Sequence, residues 1–356
     1  MSRIGVEVSA QIPGRNRRYR MGKGPLWFPL KGDWATERYT FDLVNSRSDK
    51  EETMGRFAST CTIMLALLAG GATSAAAPTT RSTAAAVVEA VPFGANKAAG
   101  ETFVHDGVTL YYEIYGEGEP LLLIHGNGGG IGTLAAQIDF FRTHRRVIVM
   151  DSRDQGRSSD SAGPLTYEKM TDDQAALLEH LKIGPVDVLG WSDGGIEALL
   201  MGIRHPDKVK KLIAMAANLS PDAAYPETDQ LVTEMLASFT PEVRKTSSGQ
   251  RDLKVATILV NEPHIDLTLL KKVTAPTLIL SSDHDLIRLD HTVALYEALP
   301  NAQLAVFPDS THLVPYDDPQ LFNATVERFL STPFKKKDRI ADTMTSFGKL
   351  MSELPK

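Results

Sequence analysis

One serine lies among glycines at the point where an apolar run of the sequence ends. The run is VDVLGW, and Ser192 follows it with Gly190 on one side and Gly194 and Gly195 on the other. Glycine neighbours leave room for a sharp turn between a strand and a helix, and such a turn lifts the serine hydroxyl clear of the sheet. The pattern G-x-S-x-G in this position predicts a nucleophilic serine.

A serine hydroxyl is a weak nucleophile unless a base takes its proton and an acid orients that base. Asp283 and Asp285 come directly after the apolar run PTLILSS, and His312 comes shortly after QLAVFP. The order serine, acid, histidine, with each residue just past a strand, is the order that a strand–turn–helix nucleophile requires. We therefore predict Ser192 as nucleophile and His312 as base, with one of the two aspartates as the orienting acid.

The glycine-rich loop HGNGGGIG, residues 125–132, has two interpretations. From Gly130 it fits G-x-G-x-x-A, and Asp151 follows where a ribose-binding acid of a dinucleotide site would stand. Against an oxidoreductase of that kind, two strands precede the loop, and the dinucleotide pattern does not call for the leading His125. In the second interpretation the loop aims backbone N–H groups at the oxyanion of an acyl-transfer intermediate.

The elements that would position these residues begin at about residue 101. Two short strands joined at Asp106-Gly107 indicate a hairpin. Apolar runs then alternate with helical patterns, which predicts an α/β fold with a mainly parallel sheet and helices on both faces. The alternation is interrupted over 219–272, where helices and loops predict a small helical cap. The predicted catalytic domain spans 101–331 and includes that cap.

These motifs together resemble the α/β-hydrolase superfamily. LLLIHGNGGG resembles its third strand and oxyanion loop, GWSDGG its nucleophile turn, and DSRDQGRSS the loop after its fourth strand, with Asp154 where glycine is usual. Asp is among the less costly residues if that position needs a positive φ. The resemblance implies a Ser192–His312–Asp285 triad, preferring Asp285 over Asp283, and oxyanion donors from the backbone of Asn127 and Asp193.

Several neighbouring residues have a structural as well as a functional interpretation. Asp193 suits the first turn of a helix, where its charge complements the helix dipole. GWSDGG also resembles the valacyclovirase (biphenyl-hydrolase-like) branch, which implies that Asp193 could bind a substrate amine. His125 is interpreted as a structural residue of its loop. The cluster of Asp283, His284, Asp285 and His291 is interpreted as an acid-bearing loop, and neither a metal nor an organic cofactor is predicted.

The N-terminal third has a different composition. We interpret 1–53 as a non-native or disordered extension, 54–77 as a signal peptide starting at Met54, and 78–100 as an Ala/Thr-rich linker. Cleavage would remove Cys61, the only cysteine. The expected location is secreted or periplasmic, or cytoplasmic if the signal is not used. The remaining segment, 332–356, is a tail with an amphipathic helical pattern.

Charge narrows the choice of partners. Residues 1–53 hold ten Lys/Arg and seven Asp/Glu, so the net charge of −6 for the whole chain leaves −9 for the rest. An acidic body argues against nucleic acid as a partner, and no membrane anchor is expected after signal cleavage.

The predicted function is hydrolysis of a small carboxylic ester. Lactones, amides, carbon–carbon bonds and a cofactor-free perhydrolase reaction remain open on this fold, as does a ligand-binding receptor with a vestigial triad.

Overall fold

The computed structural model of the protein describes residues 91–354. The predicted extension over 1–53, the predicted signal peptide over 54–77 and most of the predicted linker lie outside the described residues. Those interpretations therefore stay predictions.

One eight-stranded sheet organises the described chain, in the spatial order β1-β2-β4-β3-β5-β6-β7-β8. The strands are β1 (Gly100–His105), β2 (Val108–Tyr115), β3 (Pro120–Ile124), β4 (Arg146–Met150), β5 (Val186–Trp191), β6 (Val209–Met215), β7 (Thr277–His284) and β8 (Ala302–Thr311). Strand β2 pairs antiparallel with β1 and β4, and all later pairings are parallel. The fold class predicted from the alternating pattern is confirmed.

Helices cover both faces of this sheet. They are α1 (Ala135–Phe141), α2 (Tyr167–His180), α3 (Asp193–Arg204), α4 (Pro226–Ala237), α5 (Ser247–Asn261), α6 (Leu289–Ala298), α7 (Val314–Asp317), α8 (Pro319–Ser331) and α9 (Arg339–Glu353). Helices α2, α3, α5 and α6 contribute to the core on one face, and α1 and α8 to the core on the other. The described residues contain no helix that combines the length and apolar character needed to cross a membrane.

Strand β3 shows why its sequence reads as a continuous apolar run. Leu122 and Ile124 point into one core, whereas Leu121 and Leu123 point into the other. Because successive side chains of a strand alternate between faces, a strand covered on both sides needs apolar residues at every position. The hairpin predicted at Asp106-Gly107 is present, and both residues have positive φ, 47° and 72°.

The end of the predicted linker, from residue 91 onward, packs against the sheet. Strand β1 begins at Gly100, and residues 91–99 already contact the body. The Phe93 ring meets Tyr115 edge-on with centroids 5.0 Å apart, and the backbone N–H of Gly94 donates to the Glu113 carboxylate. The Ala-rich composition of the segment concealed these contacts because they depend on partners more than 15 residues away.

The segment between β6 and β7 carries α4 and α5, in the region where the sequence predicts a cap. Helix α5, with the sequence SSGQRDLKVATILVN, is not predicted individually. The Lys254 ammonium of α5 lies 2.7 Å from the buried Asp154 carboxylate and also donates to the Ser161 carbonyl oxygen. This contact fastens α5 to the loop after β4.

Candidate active site

The turn from β5 to α3 places Ser192 in a strained backbone conformation, with φ 58° and ψ −120°. Its neighbours are glycines because of space: a Cβ at Gly190 would overlap the Gly194 carbonyl oxygen, and one at Gly194 would overlap the Ile124 carbonyl oxygen. The backbone passes too close to itself for any side chain at these positions. The hydroxyl therefore stands at the carboxyl end of the sheet, beside a helix N-terminus.

His312 and Asp285 come together beside that hydroxyl. The His312 Nε2 atom lies 2.9 Å from Ser192 Oγ, and its Nδ1 atom lies 2.7 Å from Asp285 Oδ1. A carboxylate only accepts hydrogen bonds, so Nδ1 carries the proton and Nε2 is free to accept from the serine. The side chain of Asp285 is 1% exposed and also accepts from the backbone N–H groups of Ser282 and Ile287. These bonds fix its position.

Asp283, the other candidate acid, binds the backbone of β8 and is not hydrogen-bonded to His312. Its two oxygens accept the backbone N–H groups of Asp309 and Ser310, at 2.9 and 3.0 Å. The bond from Ser310, followed by that from Asp309, lowers the pKa of this exposed carboxyl. Asp283 thus ties the end of β7 to β8, and Asp285 is the aspartate that contacts the histidine.

The glycine-rich loop lies against the serine. A Cβ on Gly126 would stand 3.1 Å from Ser192 Cβ, so the loop backbone runs directly beside the hydroxyl. Among the hydrogen bonds of the described residues, none uses the backbone N–H of Asn127 or of Asp193 as donor. Two free donors flanking a serine hydroxyl can bind a developing negative charge.

Comparison with known proteins matches this geometry to a family. The family model described as the α/β hydrolase fold matches residues 119–253, which include the glycine-rich loop and the serine turn. The chain belongs to the α/β-hydrolase superfamily. It is therefore a hydrolase of this fold.

The similar proteins have names that refer to different hydrolysis reactions. The serine hydrolase BPHL of Mus musculus is 28% identical over 261 residues, covering 67% of this chain and 88% of BPHL. RutD of Azorhizobium caulinodans, provisionally named a carbamate hydrolase, is 35% identical over 111 residues, which covers 31% of this chain and only 42% of RutD. A thermophilic esterase from Thermogutta terrifontis is 27% identical with a TM-score of 0.54, covering 65% of this chain and 97% of that chain.

The Asp193 carboxylate is enclosed by the protein. It is 3% exposed, its Oδ1 accepts from the Tyr167 hydroxyl at 2.8 Å, and its Oδ2 accepts from Asn127 Nδ2 at 2.9 Å. Burial is the main influence on this carboxyl and raises its pKa, although the bonds from Asn127 and Tyr167 act in the opposite direction. With both oxygens already bonded, the carboxylate has the geometry of a structural anchor at the start of α3, and it presents no open face to a substrate amine.

Sequence reasoning missed the side chain of Asn127. Its amide donates to Asp193 and also to the Val255 carbonyl oxygen of α5, at 2.9 Å each. The residue predicted to supply a backbone oxyanion donor thus also connects Asp193, at the start of α3, to the cap. No local signal reveals this, because Val255 lies 128 residues further along the chain.

Two other polar residues that the sequence offered as candidate site residues form hydrogen bonds within the protein. The Asp151 carboxylate is buried and accepts the backbone N–H groups of Ile131 and Arg157, both at 2.8 Å, so it does not face a ribose site. His125 is buried, with Nε2 accepting the Ser152 N–H at 3.0 Å, in keeping with the structural interpretation. Within 91–354, no group of three or more His, Cys, Asp or Glu side chains is arranged to hold a metal ion.

Proposed function

We propose that the protein hydrolyses a small carboxylic ester through an acyl-enzyme intermediate. The observation that carries this proposal is the continuous hydrogen-bond chain from Ser192 Oγ through His312 to Asp285, with links of 2.9 and 2.7 Å. Each link has the length that proton transfer requires in the ground state.

In the first half-reaction Ser192 Oγ attacks the ester carbonyl while His312 Nε2 takes the hydroxyl proton. Asp285 holds the imidazole tautomer and stabilises the imidazolium that forms. The tetrahedral intermediate then collapses, and His312 returns the proton to the departing alcohol. In the second half-reaction His312 activates a water molecule, whose attack releases the carboxylic acid and regenerates the serine.

The backbone N–H groups of Asn127 and Asp193 would bind the oxyanion in both half-reactions. One such donor contributes about 3 kcal/mol of transition-state stabilisation in enzymes of this chemistry. The donor of Asp193 lies at the N-terminus of α3, where the helix dipole adds to the attraction for negative charge.

The ester class is supported by the serine nucleophile and by the esterase among the similar structures. No step of this mechanism requires a metal or an organic cofactor. The proposed partner is a small-molecule substrate enclosed between the sheet edge and the cap.

Fluorophosphonate labelling of the purified protein, followed by a panel of esters, lactones and amides, tests the proposal. We expect rapid labelling that is lost in Ser192→Ala and strongly slowed in His312→Ala. Ser331→Ala removes an exposed hydroxyl at the end of α8 and should label like the parent protein. A folded protein that does not label would refute the activated serine. Labelling without turnover of any panel member would indicate a ligand-binding receptor.

A further inference from the structure

Helix α9 presents an apolar stripe to solvent. Six large apolar side chains of this helix and the residue that follows it are between 50% and 74% exposed: Ile340, Met344, Phe347, Leu350, Met351 and Leu354. Their spacing of three and four residues places them on one side of the helix. Among the described residues, α9 has no buried side chain at all.

A helix of this length needs something to pack against. It comprises 15 residues, and isolated helices of about 12–15 residues are marginal in water. The Asp338 side chain caps its first turn by accepting the N–H groups of Ile340 and Ala341. Capping fixes where the helix starts but leaves the apolar stripe uncovered.

Charge indicates what that surface binds. Residues 332–356 hold six Lys/Arg and three Asp/Glu, a net charge of +3, whereas residues 101–331 hold 19 Lys/Arg and 33 Asp/Glu, a net charge of −14. Four of the basic residues lie just before the helix or at its first position, and all four are exposed: Lys335, Lys336, Lys337 and Arg339. Together with Arg328 they border a cavity of about 870 Å³ at the start of β8.

We propose that the basic segment 335–339 and the apolar face of α9 bind the surface of an anionic lipid bilayer. Lipid headgroups would pair with the basic residues while Phe347 and its apolar neighbours enter the acyl boundary, as in interfacial amphipathic helices. The tail would be the part of the molecule that approaches such a surface, since the strongly acidic body is repelled by it. The sequence gives no expectation of a membrane contact, and this peripheral binding requires none of the chain to cross the bilayer.

A second copy of the chain suits the stripe less well. A 15-residue helix is about 22 Å long, and a pair of such helices buries less than the 1,200–2,000 Å² typical of stable interfaces. A parallel pair would also bring two basic segments together. An anionic surface, in contrast, satisfies both the stripe and the charge.

The basic segment 335–339 lies away from the edge of the sheet that carries the proposed catalytic residues. Lys336 Nζ donates to the Pro300 carbonyl oxygen, just before the amino end of β8, whereas Ser192 and Asp285 lie at the carboxyl ends of their strands. A bilayer bound at the tail would therefore contact the edge of the molecule opposite the catalytic residues. The inference concerns binding alone and does not depend on the proposed hydrolysis.

Co-sedimentation of the full-length protein with vesicles tests it. The vesicles contain phosphatidylcholine and phosphatidylglycerol in equal amounts, or phosphatidylcholine alone, each at low and high NaCl. We expect binding to the anionic vesicles that weakens with salt and with removal of phosphatidylglycerol. The triple variant K335Q/K336Q/K337Q should bind about 100-fold more weakly, and F347E/M351E at least about tenfold more weakly.

The matched control is T345E/S352E, which adds the same two charges to the polar side of α9. It should bind far better than F347E/M351E, and all variants should unfold at the temperature of the parent, because α9 contributes no buried residue. The proposal is overturned if the parent protein does not sediment with anionic vesicles, if both double variants bind equally, or if binding ignores lipid charge and salt. A dimer in sedimentation velocity that F347E/M351E converts to monomer, without vesicle binding, would assign the stripe to a second copy.

Discussion

At the residue scale, Ser192 is held in a backbone conformation that residues other than glycine rarely adopt. A positive φ of 58° is costly for a residue with a Cβ, and the surrounding backbone must enforce it. Three close approaches do so: Gly190 to Gly194, Gly194 to Ile124, and Gly195 to the Met215 carbonyl oxygen. The strain is the means by which the hydroxyl projects toward His312.

Replacing Gly190 tests this account. In Gly190→Ala the new Cβ would overlap the Gly194 carbonyl oxygen, so the turn must open. We expect the free energy of unfolding, measured by urea denaturation, to fall by about 3 kcal/mol, and fluorophosphonate labelling to be lost. Gly184→Ala, in the loop before β5, meets no atom within 4 Å and should leave both measurements unchanged. Equal behaviour of the two variants would remove the spatial explanation for the glycines.

The buried carboxylate of Asp193, next to Ser192, gives a second prediction at this scale. Asp193→Asn replaces two acceptor oxygens with one, so either Asn127 or Tyr167 loses its oxygen acceptor, which disturbs the glycine-rich loop or helix α2. We expect kcat/KM to fall by about tenfold, by the same factor on an amino-acid ester and on a neutral ester of equal size. A selective loss on the amino-acid ester would instead identify Asp193 as a substrate-amine ligand.

At the scale of elements, the cap is fastened to the body at one turn of α5. Lys254 reaches Asp154 in the loop after β4, and the adjacent Val255 carbonyl accepts from Asn127 of the glycine-rich loop. Asp154 has φ 63°, the positive value anticipated for a site where the superfamily usually has glycine. Here an aspartate tolerates the conformation and also provides the anchor for the cap, which glycine could not do.

Lys254→Met should loosen this attachment. The Asp154 carboxylate would stay buried without its cation, so the free energy of unfolding should fall by about 2 kcal/mol. Hydrogen exchange of the α5 amides, followed by mass spectrometry, should accelerate. Lys245→Met alters an exposed lysine of the same cap and is the control. Unchanged exchange in Lys254→Met would show that the contact does not hold the cap.

At the scale of the whole molecule, one face of the core contains an acid that is not part of the proposed catalysis. Glu197 of α3 is 1% exposed, and burial raises its pKa well above the ordinary glutamate value. Its Oε2 lies 3.3 Å from Gln174 Nε2, while the Gln174 Oε1 atom has no hydrogen-bond partner among the described residues. We therefore expect the folded protein to keep a proton on Glu197 over a pH range in which the unfolded chain, with an ordinary glutamate pKa of about 4.3, has released it.

This difference predicts how stability depends on pH. Because the folded-state pKa is raised, the favourable contribution of protonated Glu197 is complete below the unfolded-state pKa and declines as pH rises toward the folded-state pKa. Glu197→Gln removes that decline, and its amide can donate to Gln174 Oε1. Its stability relative to the parent should rise by up to about 1.4 kcal/mol per pH unit within that window. Urea denaturation at pH 5 and pH 8 measures this.

The exposed Glu117→Gln is the control for the pH experiment and should show the same pH dependence as the parent protein. A constant difference between Glu197→Gln and the parent across the two pH values would mean that Glu197 is ionised in the folded state.

Local sequence determined the strands, most helices and the position of the catalytic candidates. Apolar runs identify strands that are covered on both faces, and the glycines around Ser192 indicate a turn too tight for side chains. Because the carboxyl ends of parallel strands meet at one edge, the order of Ser192, an aspartate at 283 or 285, and His312 was sufficient to predict that a serine, an acid and a histidine come together. The preference for Asp285 came from the family resemblance. In the structure Ser192, His312 and Asp285 lie in hydrogen-bond contact, and their roles stay part of the proposed function.

Only the tertiary structure decided which polar groups are already bonded within the protein. The sequence cannot tell that Asp283 binds β8 while Asp285 faces the histidine, or that Asp193 is enclosed by Tyr167 and Asn127. The physical reason is the same in each case. The availability of a carboxylate depends on its burial and on donors from distant parts of the chain, and neither is encoded in the residues beside it.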